Sequence, residues 1–188
     1  GRILVAFNGS LDARVGTLLL ALDRDGVRQA TFSGGWSFQR NELFTVTADP
    51  APLPGVVMVR PAVSVGASVR LDGLAWLSGA NVFYAIGTVT GSTFPRGVAF
   101  RVSDTGTNLD QRYLFNGGTG MRVFQCVANG GSQTSLTSIV ARPNGQGVVI
   151  GGGCFIESSP APPVRAMLVV LNADGTRDTS FTMAEGFD

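Results

Sequence analysis

Leu171-Asn172-Ala173-Asp174-Gly175, continuing through Thr176-Arg177-Asp178-Thr179 to Ser180-Phe181, recurs twice earlier in looser form. The other copies are Leu22-Asp23-Arg24-Asp25-Gly26 ending in Thr31-Phe32, and Val102-Ser103-Asp104-Thr105-Gly106 ending in Leu114-Phe115. Each follows a short apolar run, at residues 18–21, 98–100 and 167–170. Upstream of each lies a second shared run: Arg2-Ile3-Leu4-Val5-Ala6-Phe7, Val82-Phe83-Tyr84-Ala85-Ile86-Gly87, and Gly147-Val148-Val149-Ile150-Gly151. The turn glycines Gly26, Gly106 and Gly175 are 80 and then 69 apart, and Phe7, Gly87 and Gly151 are 80 and then 64 apart. Two landmarks that keep nearly one spacing define a repeat of about 65–80 residues with variable loops.

The repeat reads as β-structure. Its runs are five to seven residues long and rich in Val, Ile, Phe and Thr, with no extended helical period. Asp-x-Asp-Gly and Asn-x-Asp-Gly are turn chemistry: Gly takes the positive φ, and the Asp or Asn side chain caps backbone N–H groups. Further strands are predicted at residues 43–48, 56–60, 122–127 and 136–142. The expectation is an all-β chain, a propeller-like array of four-stranded antiparallel repeats linked as a meander. Residues 1–188 form one β-repeat domain with landmarks at 1–32, 82–115 and 146–181. About two and a half repeats fit, too few to close a ring. The chain therefore reads as a processed product or an excised piece of an array, or as one completed by other chains, its open sheet edges offering places for strand addition.

The third copy resembles the signature of bacterial delta-60 repeats, in which a run like Leu-Asn-x-Asp-Gly-x-x-Asp-x-x-Phe follows an apolar strand. Pro143-Asn144-Gly145-Gln146-Gly147-Val148-Val149-Ile150-Gly151-Gly152 is similar to the family's upstream stretch, and Gly1-Arg2-Ile3-Leu4-Val5-Ala6 matches its end. The first two copies depart from the pattern: Gln29 and Ala30 stand where Asp belongs, and Thr107-Asn108-Leu109-Asp110 is stretched by an insertion. The resemblance implies a propeller-like fold in a bacterial secreted or cell-surface protein, in a family with no assigned catalytic residues.

Composition narrows the chemistry. Of 188 residues, 44% are hydrophobic and 14% charged, with a net charge of +1 and 26 glycines. This is no disordered tail, and near-neutrality leaves no electrostatic footprint for nucleic acid. The apolar runs are too short for a membrane span. There is no His, and all 14 basic residues are Arg. His-based triads, Lys Schiff bases and Walker-type phosphate loops are thereby excluded.

The candidate residues are few, and none is catalytic. Asp23, Asp25, Asp174 and Asp178 could ligate calcium, which prefers hard oxygen donors, or could simply cap repeated hairpins; no other cofactor is implied. Trp36, placed in a Ser-Gly-Gly-Trp loop, and Trp76 could stack on sugar rings, or could belong to the core. Cys126 and Cys154 could form a disulfide if the chain bends after Gly151-Gly152-Gly153, since strands two apart in one sheet are separated by more than a disulfide's reach. The other reading is two buried thiols. Asn8-Gly9-Ser10 is a formal glycosylation sequon. The expected function is a non-enzymatic structural or adhesive module that self-assembles at a bacterial surface. Its partners would be itself, neighbouring repeats of a longer chain, or surface glycans. The alternative is a carbohydrate- or ligand-binding propeller domain.

Overall fold

The computed structural model describes residues 2–11, 14–32, 34–39, 45–48, 54–61, 68–90, 95–103, 121–124, 132–156 and 164–181. Among them the chain is all-β, as its short β-branched runs foretold. The strands are β1 (Arg2–Leu11), β2 (Arg14–Asp23), β3 (Gly34–Gln39), β4 (Thr45–Ala48), β5 (Val56–Pro61) and β6 (Ser68–Leu77), then β7 (Val82–Thr90), β8 (Arg96–Ser103), β9 (Met121–Phe124), β10 (Ser132–Ala141), β11 (Gly147–Ile156) and β12 (Val164–Asn172). They make three sheets, here called A (order β1-β2-β5-β3-β4), B (β6-β7-β8-β9) and C (β10-β11-β12).

The repeat is written into the strand register. In sheet A, β2 pairs with β5 through Thr17↔Val59 to Leu20↔Val56; in sheet B, β8, 80 positions after β2, pairs with β9, 65 positions after β5, through Gly97↔Phe124 to Phe100↔Met121. In sheet B, β6 meets β7 with a bulge between Leu71 and Gly73; in sheet C, 65 positions on, β10 meets β11 with a bulge between Leu136 and Ser138. The same spacing separates the two 3₁₀ turns, Ser78–Ala80 and Pro143–Gly145, that reverse the chain after β6 and β10. Opposite the bulges sit Gly87 and Gly152, paired with Leu71 and Leu136. A Cβ on Gly87 would collide with the Arg70 carbonyl oxygen, and one on Gly152 with that of Ser135. Only glycine allows the bulged backbone this near. The position equivalent to Phe7 and Gly87 is therefore Gly152, one residue beyond the Gly151 chosen from spacing alone.

The phase and contents of the repeat differ from the sequence expectation in three ways. First, β10 pairs with β11 in sheet C and does not close the unit of β7, β8 and β9. Sheet boundaries fall between β5 and β6 and again between β9 and β10, and β6, absent from the sequence reading, opens sheet B. Second, sheet A is mixed: β3 lies parallel to β5, from Gly34↔Val57 to Phe38↔Pro61. The connection from β2 to β5 spans residues 24–55, against 104–120 between β8 and β9, and that extra length houses β3 and β4. Third, β11 continues straight through Gly151, Gly152 and Gly153, pairing them with Leu168, Met167 and Ala166 of β12, so the chain does not bend there.

The sheets stack with sheet B in the middle. Every residue of β7 from Val82 to Val89 is buried, because alternate side chains enter opposite interfaces. Phe83, Ala85, Val89, Val98, Phe100 and Val102 pack with Leu19, Ala21, Phe32 and Val57 of sheet A. Val82, Tyr84, Ile86 and Ala99 pack with Leu136, Val148, Ile150, Met167, Val169 and Leu171 of sheet C. Each large apolar side chain fully buried this way contributes about 1.5–3 kcal/mol.

Polar groups stitch the layers. The Asn8 amide of β1 accepts a hydrogen bond from the Leu71 N–H (3.1 Å) and donates to the Leu71 carbonyl (3.3 Å), so a side chain of sheet A occupies backbone groups of edge strand β6. The Thr17 hydroxyl sits between Asn8 Oδ1 (2.8 Å) and the Val69 carbonyl. One layer on, the Thr134 N–H of β10 donates to the Pro95 carbonyl (3.0 Å). The buried Arg101 donates from Nη2 to the Ala173 carbonyl (2.9 Å), tying sheet B to the turn after β12.

Candidate functional site

The Asp-rich turns close β2 and β12 with one backbone design. The Asp23 N–H donates to the Val27 carbonyl (2.9 Å) and the Gly26 N–H to the Asp23 carbonyl (3.2 Å). Their counterparts are Asn172 N–H to the Thr176 carbonyl (2.8 Å) and Gly175 N–H to the Asn172 carbonyl (2.9 Å). Bridges Leu22↔Arg28 and Leu171↔Arg177 place the two turns 149 positions apart. Gly26 and Gly175 have φ of 81° and 87°, the left-handed conformation that selects glycine.

Three of the four carboxylates, Asp23, Asp174 and Asp178, are spent on these turns. Asp23 Oδ1 accepts from the N–H groups of Asp25 and Val27, both at 2.9 Å. Asp174 Oδ1 accepts from the Thr176 hydroxyl (2.7 Å) and N–H (2.9 Å), and these bonds, the hydroxyl's first, hold its carboxyl below the ordinary carboxylate range. Asp178 accepts from the Ser180 hydroxyl and N–H on one oxygen and from Arg142 Nη1 (2.9 Å) on the other. Its carboxyl is lowered too, chiefly by the Ser180 hydroxyl, then by the Ser180 N–H and Arg142. Asp25 lies 3.7 Å from Arg24 at the surface. Asp23 caps the turn after β2, where Asp25 also lies, and Asp174 and Asp178 cap the turn after β12, so the four split into two pairs on different sheets. Among the described residues no group of three or more His, Cys, Asp or Glu gathers to hold a metal ion.

The aromatic candidates separate as well. Trp36 lies in β3, paired with Val59 and Ala48, and not in a loop. Trp76 lies in β6, is 41% exposed, and packs against Phe83 with centroids 4.4 Å apart and ring planes tilted by 42°. Phe83 in turn meets Phe32 edge-on at 6.1 Å. Cys154, buried in β11, is disulfide-bonded; Cys126, the only other cysteine in the chain, lies outside the described residues. The strand-counting objection to their pairing does not apply, because β9 and β10 belong to different sheets. The sequon residue Asn8 already commits both its amide atoms to Leu71.

What the sequence did not disclose is a pair of unfinished interfaces. In sheet B, Phe83 and Ala85 are buried against sheet A; 80 positions earlier, Ile3 and Val5 occupy the same places on the far side of sheet A and are 49% and 37% exposed. Leu18 and Val56, with Phe7 and Leu20 beside them, are already covered on that side. In sheet A, Leu19 and Phe32 are fully buried against sheet B; 149 positions on, Leu168 and Phe181 occupy the same places on the far side of sheet C and are 40% and 38% exposed. The apolar pattern was legible, but its exposure depends on which sheet has a neighbour.

Comparisons with family models, curated proteins and solved structures find no match to this chain.

Proposed function

We propose that this chain is a non-catalytic structural or adhesive β-repeat module, propeller-like in the way its sheets succeed one another, acting at a bacterial surface or in the secreted space. The carrying observation is that Ile3, Val5, Leu168 and Phe181 are exposed while their register equivalents in the stack are buried. Exposed apolar surface organised as a half-interface marks a binding face, and here its shape suits another sheet of the same repeat. Three of the four candidate carboxylates, Asp23, Asp174 and Asp178, are occupied in capping turns, which favours scaffold over enzyme. The resemblance to delta-60 repeats and the disulfide at Cys154 support an oxidising, extracellular setting. Beads carrying the purified chain test this reading. Clustering, or adhesion to bacterial envelope fragments, that Ile3→Asp weakens supports it; beads that stay dispersed and bare overturn it.

A second reading rests on Trp76, whose exposed ring is braced by Phe83 as a sugar-stacking platform would be. Binding on a glycan array that Trp76→Ala abolishes would favour it.

A further inference from the structure

Building on the structural-module reading, we infer that the occupant of these faces is a second copy of this chain, seated head to tail with the far side of its sheet C on the far side of sheet A. The two faces are the two halves of one interface already present in the molecule. Between sheets A and B, the donor half supplies Leu4, Ala6, Leu19, Ala21 and Phe32, and the acceptor half supplies Phe83, Ala85 and Val98 among others. On the far side of sheet C the donor positions recur as Val149, Gly151, Leu168 and Phe181, with Val170 there already buried. On the far side of sheet A the acceptor positions that stay exposed are Ile3 and Val5. Large side chains thus recur at matching places, Leu19 as Leu168, Phe32 as Phe181 and Phe83 as Ile3, while Ala85 gives way to the larger Val5.

The contact that anchors the internal interface also transfers. Phe32 lies edge-on to Phe83 with centroids 6.1 Å apart. Its equivalent is Phe181 of one copy against Ile3 of the next, two side chains exposed in the lone chain. The surfaces joined are different, so the contact is heterologous: copies add in one direction and either close into a ring or run on as a filament. A face-to-face dimer using one patch twice would instead leave the other patch bare.

The test uses two single-face variants, Ile3→Asp and Leu168→Asp, each checked by circular dichroism for native strand content; Phe181→Asp substitutes for Leu168→Asp if that variant misfolds. Mass is read by light scattering. The wild-type chain is expected to grow with concentration beyond its 19.5 kDa monomer, and each variant alone to stay monomeric. An equal mixture of the two is expected to stop at about twice the monomer mass, because only one sound donor face and one sound acceptor face remain. A monomeric wild type, a monomeric mixture, or a variant that assembles like wild type overturns the inference. Beads that adhere while the wild type is monomeric would sink this geometry and leave the adhesive reading standing.

Discussion

Replacing Gly87 by Ala puts a methyl group where the β6 bulge brings its backbone nearest to β7. The new Cβ would overlap the Arg70 carbonyl oxygen and lie 2.8 Å from the Arg70 carbonyl carbon and 2.9 Å from the Leu71 Cα. All three atoms are backbone, so no rotamer change relieves the clash. Either β6 withdraws, loosening Val69 and Leu71 from the interface with sheet A, or the bulge is lost and the strand slips register. Overpacking in well-packed cores costs about 1–3 kcal/mol and sometimes more, and this site belongs at the upper end, about 3 kcal/mol. In a chain of this size that corresponds to a melting point lower by roughly 6–12 °C. Gly9→Ala is the internal control, since its Cβ meets only Phe7 Cδ2 at an ordinary 3.7 Å. Urea unfolding of both variants, compared at equal m-value, decides the matter. A Gly87→Ala loss within about 1 kcal/mol of the Gly9→Ala value would refute the reasoning.

Other substitutions and conditions separate the turns from their surroundings. Asp23→Ala removes an acceptor for two N–H groups and should cost about 1 kcal/mol, whereas Asp25→Ala should stay within about 0.5 kcal/mol in the same unfolding assay. Asp174 and Asp178 have lowered carboxyl pKa values, so their stabilisation is whole above the unfolded carboxylate range near pH 4 and is lost as pH falls through their folded values; Arg142→Ala should flatten that acid limb in thermal melts from pH 6 to pH 2. Reducing the Cys154 disulfide should lower unfolding stability by about 3 kcal/mol, read as a shift of the urea midpoint. Because the turn carboxylates are already engaged, a chelator should leave the melting point unchanged, and a drop on chelation would reinstate calcium at the turns.

The turns after β2 and β12 were the most legible part of the chain, since Asp-x-Asp-Gly and Asn-x-Asp-Gly state their backbone geometry locally, while the second copy's turn at residues 104–106 lies outside the described residues. The strands beside them were nearly as clear, and the spacing of 80 between the first two copies reappears unchanged from β2 to β8, although their partners β5 and β9 lie 65 apart. β6 was missed because Asp72-Gly73 interrupts its alternation and reads as a turn, although it is the bulge. The Gly-Gly before Trp36 invited a loop for the same reason, yet both glycines pair with β5. Which strand begins a sheet, and hence where β10 belongs, is a long-range matter that no local pattern encodes. The candidate faces were the least legible: Leu19 and Leu168 are the same residue type in equivalent apolar runs, and only the neighbouring layer makes one core and the other surface.

Among the described residues, sheet B is buried on both sides by two neighbouring sheets, while sheets A and C each meet one. Stability in such an arrangement resides in the junctions more than in the layers, as in a one-dimensional chain of nearest-neighbour couplings. Opening the middle layer breaks two junctions, so its amide protons exchange only when the whole stack comes apart, whereas an end layer can fray by giving up one. Every layer added at an end turns a fraying terminus into a protected interior. The molecule therefore becomes more resistant as it lengthens, and its weakest points are always its two outermost faces.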